Sequence, residues 1–208
     1  MYQFYRIIIV AYLVFFSLSL SAKENNILIL GDSLSASYNI PLEAGWVTLL
    51  EKKLINTGHQ FNIINASISG ETTSGALTRI DQLLKRHTPK LVIIELGGND
   101  GLRGFPFSEI KRNLVEIVNN ALETKSEIIL VPMQLPPNYG QAYNQKFQQL
   151  YVNIAEEYGI ALSKFILEDI ATNPALMQDD GIHPLANAQP VMLENMWPTI
   201  ETLINTIE

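Results

Sequence analysis

Short, continuous apolar runs separated by longer stretches of helical periodicity constrain this chain most. The runs lie at residues 27–30, 61–66, 91–96 and 128–131, and a shorter one begins at 160–162. None alternates as a half-exposed strand does, and burial on both faces of a parallel sheet requires that lack of alternation. Between them, residues 46–55 place Trp46, Val47, Leu49, Leu50 and Leu54 on one helical face, and residues 74–84 do the same with Ala76, Leu77, Ile80, Leu83 and Leu84. Ser108 is placed to cap a third helix, whose apolar face is Ile110, Leu114, Ile117, Val118, Ala121 and Leu122. A fourth is expected over 143–158 with Gly159 as its stop, and a last over 188–207, where Pro190 and Pro198 leave its start and middle open. The alternation predicts an α/β chain, a three-layer α/β/α sandwich around a five-stranded parallel sheet, in a single domain over residues 23–208.

Residues 1–22 stand apart from that domain. Arg6 precedes an uncharged apolar run over residues 7–20, and Ser19, Ser21 and Ala22 supply small residues at its end. This is the pattern of a signal peptide, cleaved after Ser21 or Ala22. The run is short of the roughly 20 residues that a spanning helix needs. Retention as a membrane anchor is the alternative. The expectation is a periplasmic or secreted protein with no stable membrane span after processing. The chain has no cysteine, which excludes disulfides, thiolate catalysis and cysteine-based metal sites. Its net charge is −7 with no basic run, so nucleic acid is not an expected partner.

In open parallel sheets, ligands bind outside the carboxyl ends of the strands. That rule collects Ser33 after the first strand, Ser69 and Gly70 after the second, Gly98, Asn99 and Asp100 after the third, Gln134, Leu135 and Pro136 after the fourth, and Asp180 and His183 beyond the fifth. It also separates the three histidines, because His59 and His87 precede strands and fall at the amino edge. A serine hydroxyl becomes a nucleophile only with a base beside it, and His183 is the base on the same edge. Asp180, three residues earlier, is the preferred carboxylate to orient the imidazole, with Asp179 as its competitor. Acyl transfer to Ser33 creates an oxyanion, for which the backbone N–H of Ser33, the backbone N–H of Gly70 and the side-chain amide of Asn99 are the candidate donors. Asp32 and Asp100 read as carboxylates that organise a turn or cap a helix.

Four blocks then resemble the SGNH (GDSL) hydrolase superfamily, in order and across nearly the whole mature length. They are Gly31-Asp32-Ser33-Leu34-Ser35, Asn65 to Thr72 around Gly70, Leu96 to Gly104 around Asn99, and Met177 to Pro184 around Asp180 and His183. The longer stretches resemble the branch of periplasmic acyl hydrolases known as thioesterase I, lysophospholipase or arylesterase. The resemblance implies a flavodoxin-like sheet and an acyl transfer to water without metal or cofactor. It assigns Ser33, Asp180 and His183 as catalytic, favouring Asp180 over Asp179, with Ser33, Gly70 and Asn99 as the oxyanion hole. It places Leu135 and Pro136 in a loop associated with acyl-chain binding. Ser37 departs from the branch, which often has glycine there, and the turn around Thr57-Gly58-His59 is slightly longer.

The function expected is hydrolysis of acyl esters and thioesters, including lysophospholipids and aryl esters, by a monomer acting on small acyl substrates. Three alternatives stand beside it: a carbohydrate O-deacetylase of the same superfamily, a non-catalytic lipid- or acyl-binding protein, and a metal-dependent phosphatase suggested by Asp32, Asp100, Asp179 and Asp180.

Overall fold

The computed structural model describes residues 25–207, so the expected signal peptide over 1–22 lies outside the described residues. Five strands, β1 (Asn26–Gly31), β2 (Asn62–Asn65), β3 (Leu91–Glu95), β4 (Glu127–Leu130) and β5 (Ala161–Leu162), form one sheet in the order β2-β1-β3-β4-β5. Every pairing is parallel. The apolar residues of β1 and β3 are fully buried, as two-sided covering demands. The edge strand β2 is half-exposed and one residue shorter at each end than its apolar run.

The helices are α1 (Trp46–Thr57), α2 (Thr73–His87), α3 (Gly98–Leu102), α4 (Phe107–Glu123), α5 (Gln141–Tyr158) and α6 (Gln189–Ile207). Helices α2, α4 and α5 form one layer, and α1 packs against α6 in the other. The expected three-layer α/β/α sandwich is therefore the observed one. Burying one large aliphatic side chain stabilises by about 1.5–3 kcal/mol. Strands fully buried between two helical layers thus need no disulfide to hold them.

One local expectation is corrected. Ser108 does not cap α4: the helix starts at Phe107, no side chain caps it, and Ser108 lies inside the first turn. Pro106 pre-sets the entry with φ −60°, and its carbonyl accepts the N–H groups of Glu109 and Ile110 at 2.9 and 3.1 Å. The segment after β3 turns at once into the short helix α3, because Gly97 takes φ +103° and reverses the chain there. Pro190 falls in the first turn of α6, where a missing N–H costs nothing, and Pro198 lies inside that helix without ending it.

The strand order reverses between β1 and β3, whose crossovers run to opposite sides of the sheet. A crevice opens at the carboxyl ends of such a pair. Ser33 follows β1 and Asn99 follows β3, so topology alone brings two of the candidate residues to that crevice.

Candidate active site

Ser33 sits in a turn that several contacts hold against the sheet. Asp32 is buried, and its Oδ1 accepts the Leu34 N–H at 3.0 Å. The Ala36 N–H bonds to the Asp32 carbonyl at 3.0 Å. Gly31 allows the close approach: a Cβ there would stand 2.8 Å from Glu95 Oε2 and 2.9 Å from Ser35 Cβ and Oγ. Gly31→Ala is therefore expected to destabilise the fold by about 1–3 kcal/mol and to lower activity with it. Urea unfolding beside an ester assay checks both, and an alanine variant of native stability contradicts the packing argument.

His183 arrives from the other end of the chain. Its Nε2 lies 2.9 Å from Ser33 Oγ, and its Nδ1 lies 2.6 Å from Asp180 Oδ2. Because Asp180 is ionised, Nδ1 carries the proton and Nε2 accepts from the serine hydroxyl. Asp180 Oδ1 also accepts the N–H groups of Ile182 and His183, each at 2.9 Å. Desolvation by itself raises the Asp180 carboxyl, but the backbone N–H and ring of His183, the Ile182 N–H and the imidazole charge outweigh it and lower the pKa to about 2. Asp179 is exposed and makes no hydrogen bond or ion pair among the described residues.

The loop carrying these groups is closed on itself. The Gln178 N–H bonds to the His183 carbonyl at 2.8 Å, and Gln178 Nε2 donates to the carbonyls of Pro184 at 3.0 Å and Tyr38 at 3.1 Å. Tyr38 in turn covers the imidazole, with ring centroids 4.3 Å apart and planes tilted by 37°. Ser37 and Asn39, on either side of Tyr38, have φ of +57° and +56°. Ser37 thus takes the left-handed conformation that a glycine would take there without strain. Its hydroxyl occupies the space where Gly45 lacks a Cβ.

The donors converge on the same crevice. Asn99 lies in the first turn of α3, and its Nδ2 donates to Asp32 Oδ2 at 3.0 Å, which leaves the second amide hydrogen uncommitted. Gly70 has φ +80°, and no protein acceptor among the described residues takes its N–H or that of Ser33. The Gly70 carbonyl accepts from Arg103 Nη2 at 3.1 Å, tying this turn to the end of α3. Asp100 stands apart from the chemistry: it accepts the Thr73 hydroxyl at 2.6 Å and the Thr73 N–H at 3.0 Å, at the N-terminus of α2. Among the described residues, no cluster of three or more His, Cys, Asp or Glu side chains is disposed to hold a metal ion.

Beside Ser33 opens a cavity of about 300 Å³, with Met133, Leu135, Phe165, Leu167, Met177 and Ile182 among its walls. Leu135 and Pro136 both line it, and Asn144 holds their loop by accepting the Leu135 N–H at 2.8 Å and donating to the Leu135 carbonyl at 2.9 Å. A shallow groove along α4, lined from Ser108 to Asn119 and by Glu157, contains no histidine to activate a nucleophile. His59 and His87 are at the amino edge, His87 as the last residue of α2.

Sequence reasoning missed Tyr38, Gln178 and Glu95. The first two carry no local signal. Glu95 did carry one, as the single charged residue inside the apolar run over 91–96.

A parallel sheet with a hydroxyl, an imidazole and a carboxylate in one hydrogen-bonded line at its switch point has the architecture of an enzyme that cleaves acyl groups. Residues 29–189 match the GDSL-like Lipase/Acylhydrolase family. The chain is 42% identical over 187 residues to Esterase TesA of Pseudomonas aeruginosa, covering 90% of this chain and 93% of that protein. It is 40% identical over 185 residues to Thioesterase 1/protease 1/lysophospholipase L1 of Escherichia coli K12, covering 89% of this chain and 88% of the relative. A crystal structure of TesA superposes with a TM-score of 0.85 at 43% identity, covering 86% of this chain and 99% of that one. The chain belongs to the GDSL-like lipase/acylhydrolase family and is an ester hydrolase.

Proposed function

We propose that the protein hydrolyses carboxylic esters and thioesters through an acyl-Ser33 intermediate, and that Ser33, His183 and Asp180 act as nucleophile, base and orienting carboxylate. The observation that carries this reading is the 2.9 Å approach of His183 Nε2 to Ser33 Oγ at the mouth of an apolar cavity. Ser33 Oγ attacks the acyl carbon as its proton passes to His183 Nε2. The oxyanion is received by the N–H groups of Ser33 and Gly70 and by Asn99 Nδ2. His183 then protonates the leaving alcohol or thiol, and a water activated by the same nitrogen releases the acid and restores Ser33.

The cavity favours an acyl chain over a bare acetyl group, so lysophospholipids, acyl thioesters and aryl esters are the substrate classes assigned. Nitrophenyl esters of increasing chain length test this. Rates that hold or rise to roughly six carbons and beyond support it, whereas activity confined to acetyl esters favours the sugar O-deacetylase. A wild type inert on every ester, unlabelled by an organophosphonate, points to a binding protein instead. Asn99→Ala is expected to lower kcat by about 10²–10³-fold, and an unchanged kcat removes Asn99 from the oxyanion hole.

In the same reading, residues 1–22 are a cleaved export signal and residues 23–208 act as a monomer in the periplasm or outside the cell. The charge and apolar pattern of that segment supports export. Among residues 25–207, no helix is long and apolar enough to cross a membrane.

A further inference from the structure

Glu95 is the last residue of β3 and is fully buried, although the strand is otherwise apolar. Its Oε2 accepts the Ser35 hydroxyl at 2.8 Å and the Asp32 N–H at 3.2 Å. Ser35 Oγ in turn accepts Trp46 Nε1–H at 3.2 Å. Glu95 therefore grips the chain on both sides of Ser33. Its other oxygen, Oε1, is buried and has no donor to accept from. For a carboxylate that is an expensive orphan. For a carboxylic acid the cost falls, because a neutral carboxyl loses far less solvation on burial than a carboxylate does.

The charges around this pair agree. Asp32 faces Glu95 from the nucleophile turn, His183 faces Asp32 from the C-terminal loop, and the Tyr151 hydroxyl of α5 lies in the field of Asp100, Glu95 and Asp32. Burial, with the Asp32 charge alongside, pushes the Glu95 carboxyl well above the usual carboxylate range. Burial also raises Asp32, but only to about 6, because the Leu34 N–H, Glu95, the His183 charge and the Asn99 amide all favour its ionised form. Two adjacent buried carboxyls do not both ionise. Of the two, Glu95 is raised further, so a proton shared by the pair belongs on Glu95.

We propose that Glu95, as a neutral carboxylic acid, is a positioning residue for hydrolysis: by gripping the turn at Asp32 and Ser35 it fixes Asp32, and through Asp32 it aims the Asn99 amide at the oxyanion. This rests on the acyl-serine reading above. Glu95 touches no reacting atom, so its loss acts on kcat and leaves KM in place.

The experiment compares Glu95→Leu with Glu95→Gln. Glutamine keeps an oxygen for the Asp32 N–H and Ser35, and offers an N–H where the acid offered its proton. The leucine variant is expected to lose about 10–100-fold in kcat with KM changed less than about twofold, and glutamine to restore kcat to within about threefold of wild type. In an Asn99→Ala background the leucine substitution costs less than about threefold more, because the route it acts through is already gone. A glutamine variant as damaged as leucine overturns the neutral acid. Losses that simply add to those of Asn99→Ala, or that appear in KM, overturn the positioning route. If Glu95→Leu does not fold, infrared difference spectra of wild type and Glu95→Gln at neutral pH decide. A protonated-carboxyl band present only in wild type supports the proposal, and its absence from wild type ends it. Ser33→Ala assayed alongside keeps the two readings distinguishable: an active Ser33→Ala enzyme sinks the acyl-serine mechanism itself, whatever Glu95 does.

Discussion

Ser33→Ala is expected to lower kcat by roughly 10⁴- to 10⁶-fold, His183→Ala by a similar factor, and the double variant by no more than either alone. The reason lies in the shared proton. The hydroxyl at Ser33 and the ring nitrogen 2.9 Å away are two ends of one transfer, so removing either leaves the other without a task. Residual hydrolysis then comes from the cavity and the oxyanion donors alone. Single-turnover kinetics with a nitrophenyl ester, and labelling by an organophosphonate in wild type but not in Ser33→Ala, measure this directly. Multiplying losses in the double variant would separate the two residues and dismantle the unit. The substitution removes one oxygen from a nearly buried site, so thermal unfolding of Ser33→Ala should stay close to wild type and exclude misfolding as the cause.

Asp180→Asn is expected to cost about 10⁴-fold in kcat, while Asp179→Asn stays within about threefold of wild type. Asparagine preserves the shape of residue 180 but not its charge. It supplies an amide that can present N–H to Nδ1 and leave the ring with the wrong nitrogen protonated. Asp179 makes no such contact, so its amide changes only surface charge. The reverse ranking would exchange the two roles. The pH behaviour follows from the same hydrogen bonds. The Asp180 pKa is lowered from 3.8 to about 2, so the stabilisation it gives the fold is complete above its unfolded value and is lost as pH falls through about 2. The carboxylate is therefore ionised throughout the working range, and the acid limb of activity belongs to other groups. One of them is Asp32: its pKa of about 6 means that acidification protonates the acceptor of the Asn99 amide.

The strands were legible from local pattern. Residues 27–30 and 91–96 are bounded by turn residues and too apolar for any other place in the fold, and β1 and β3 depart from them by one or two residues. The start of α4 departs from the pattern because Ser108 competes for the cap with Pro106, which fixes φ two residues earlier and sets the helix start. The carboxyl-edge rule gathered Ser33, Gly70, Asn99, Leu135, Asp180 and His183 without distances, because parallel topology forces every βα turn to one side. Glu95 escaped the same reading, since one charge in an apolar run looks like a strand end and not like a buried acid.

Residue order alone therefore settled the layers, the sheet and the edge at which chemistry collects, since each follows from periodicities a few residues long. How the ring reaches Ser33, where the Asn99 amide points and why a carboxyl is buried under the nucleophile were settled by packing. Those answers depend on contacts between residues 67 and 150 positions apart and on a local dielectric that no short pattern encodes.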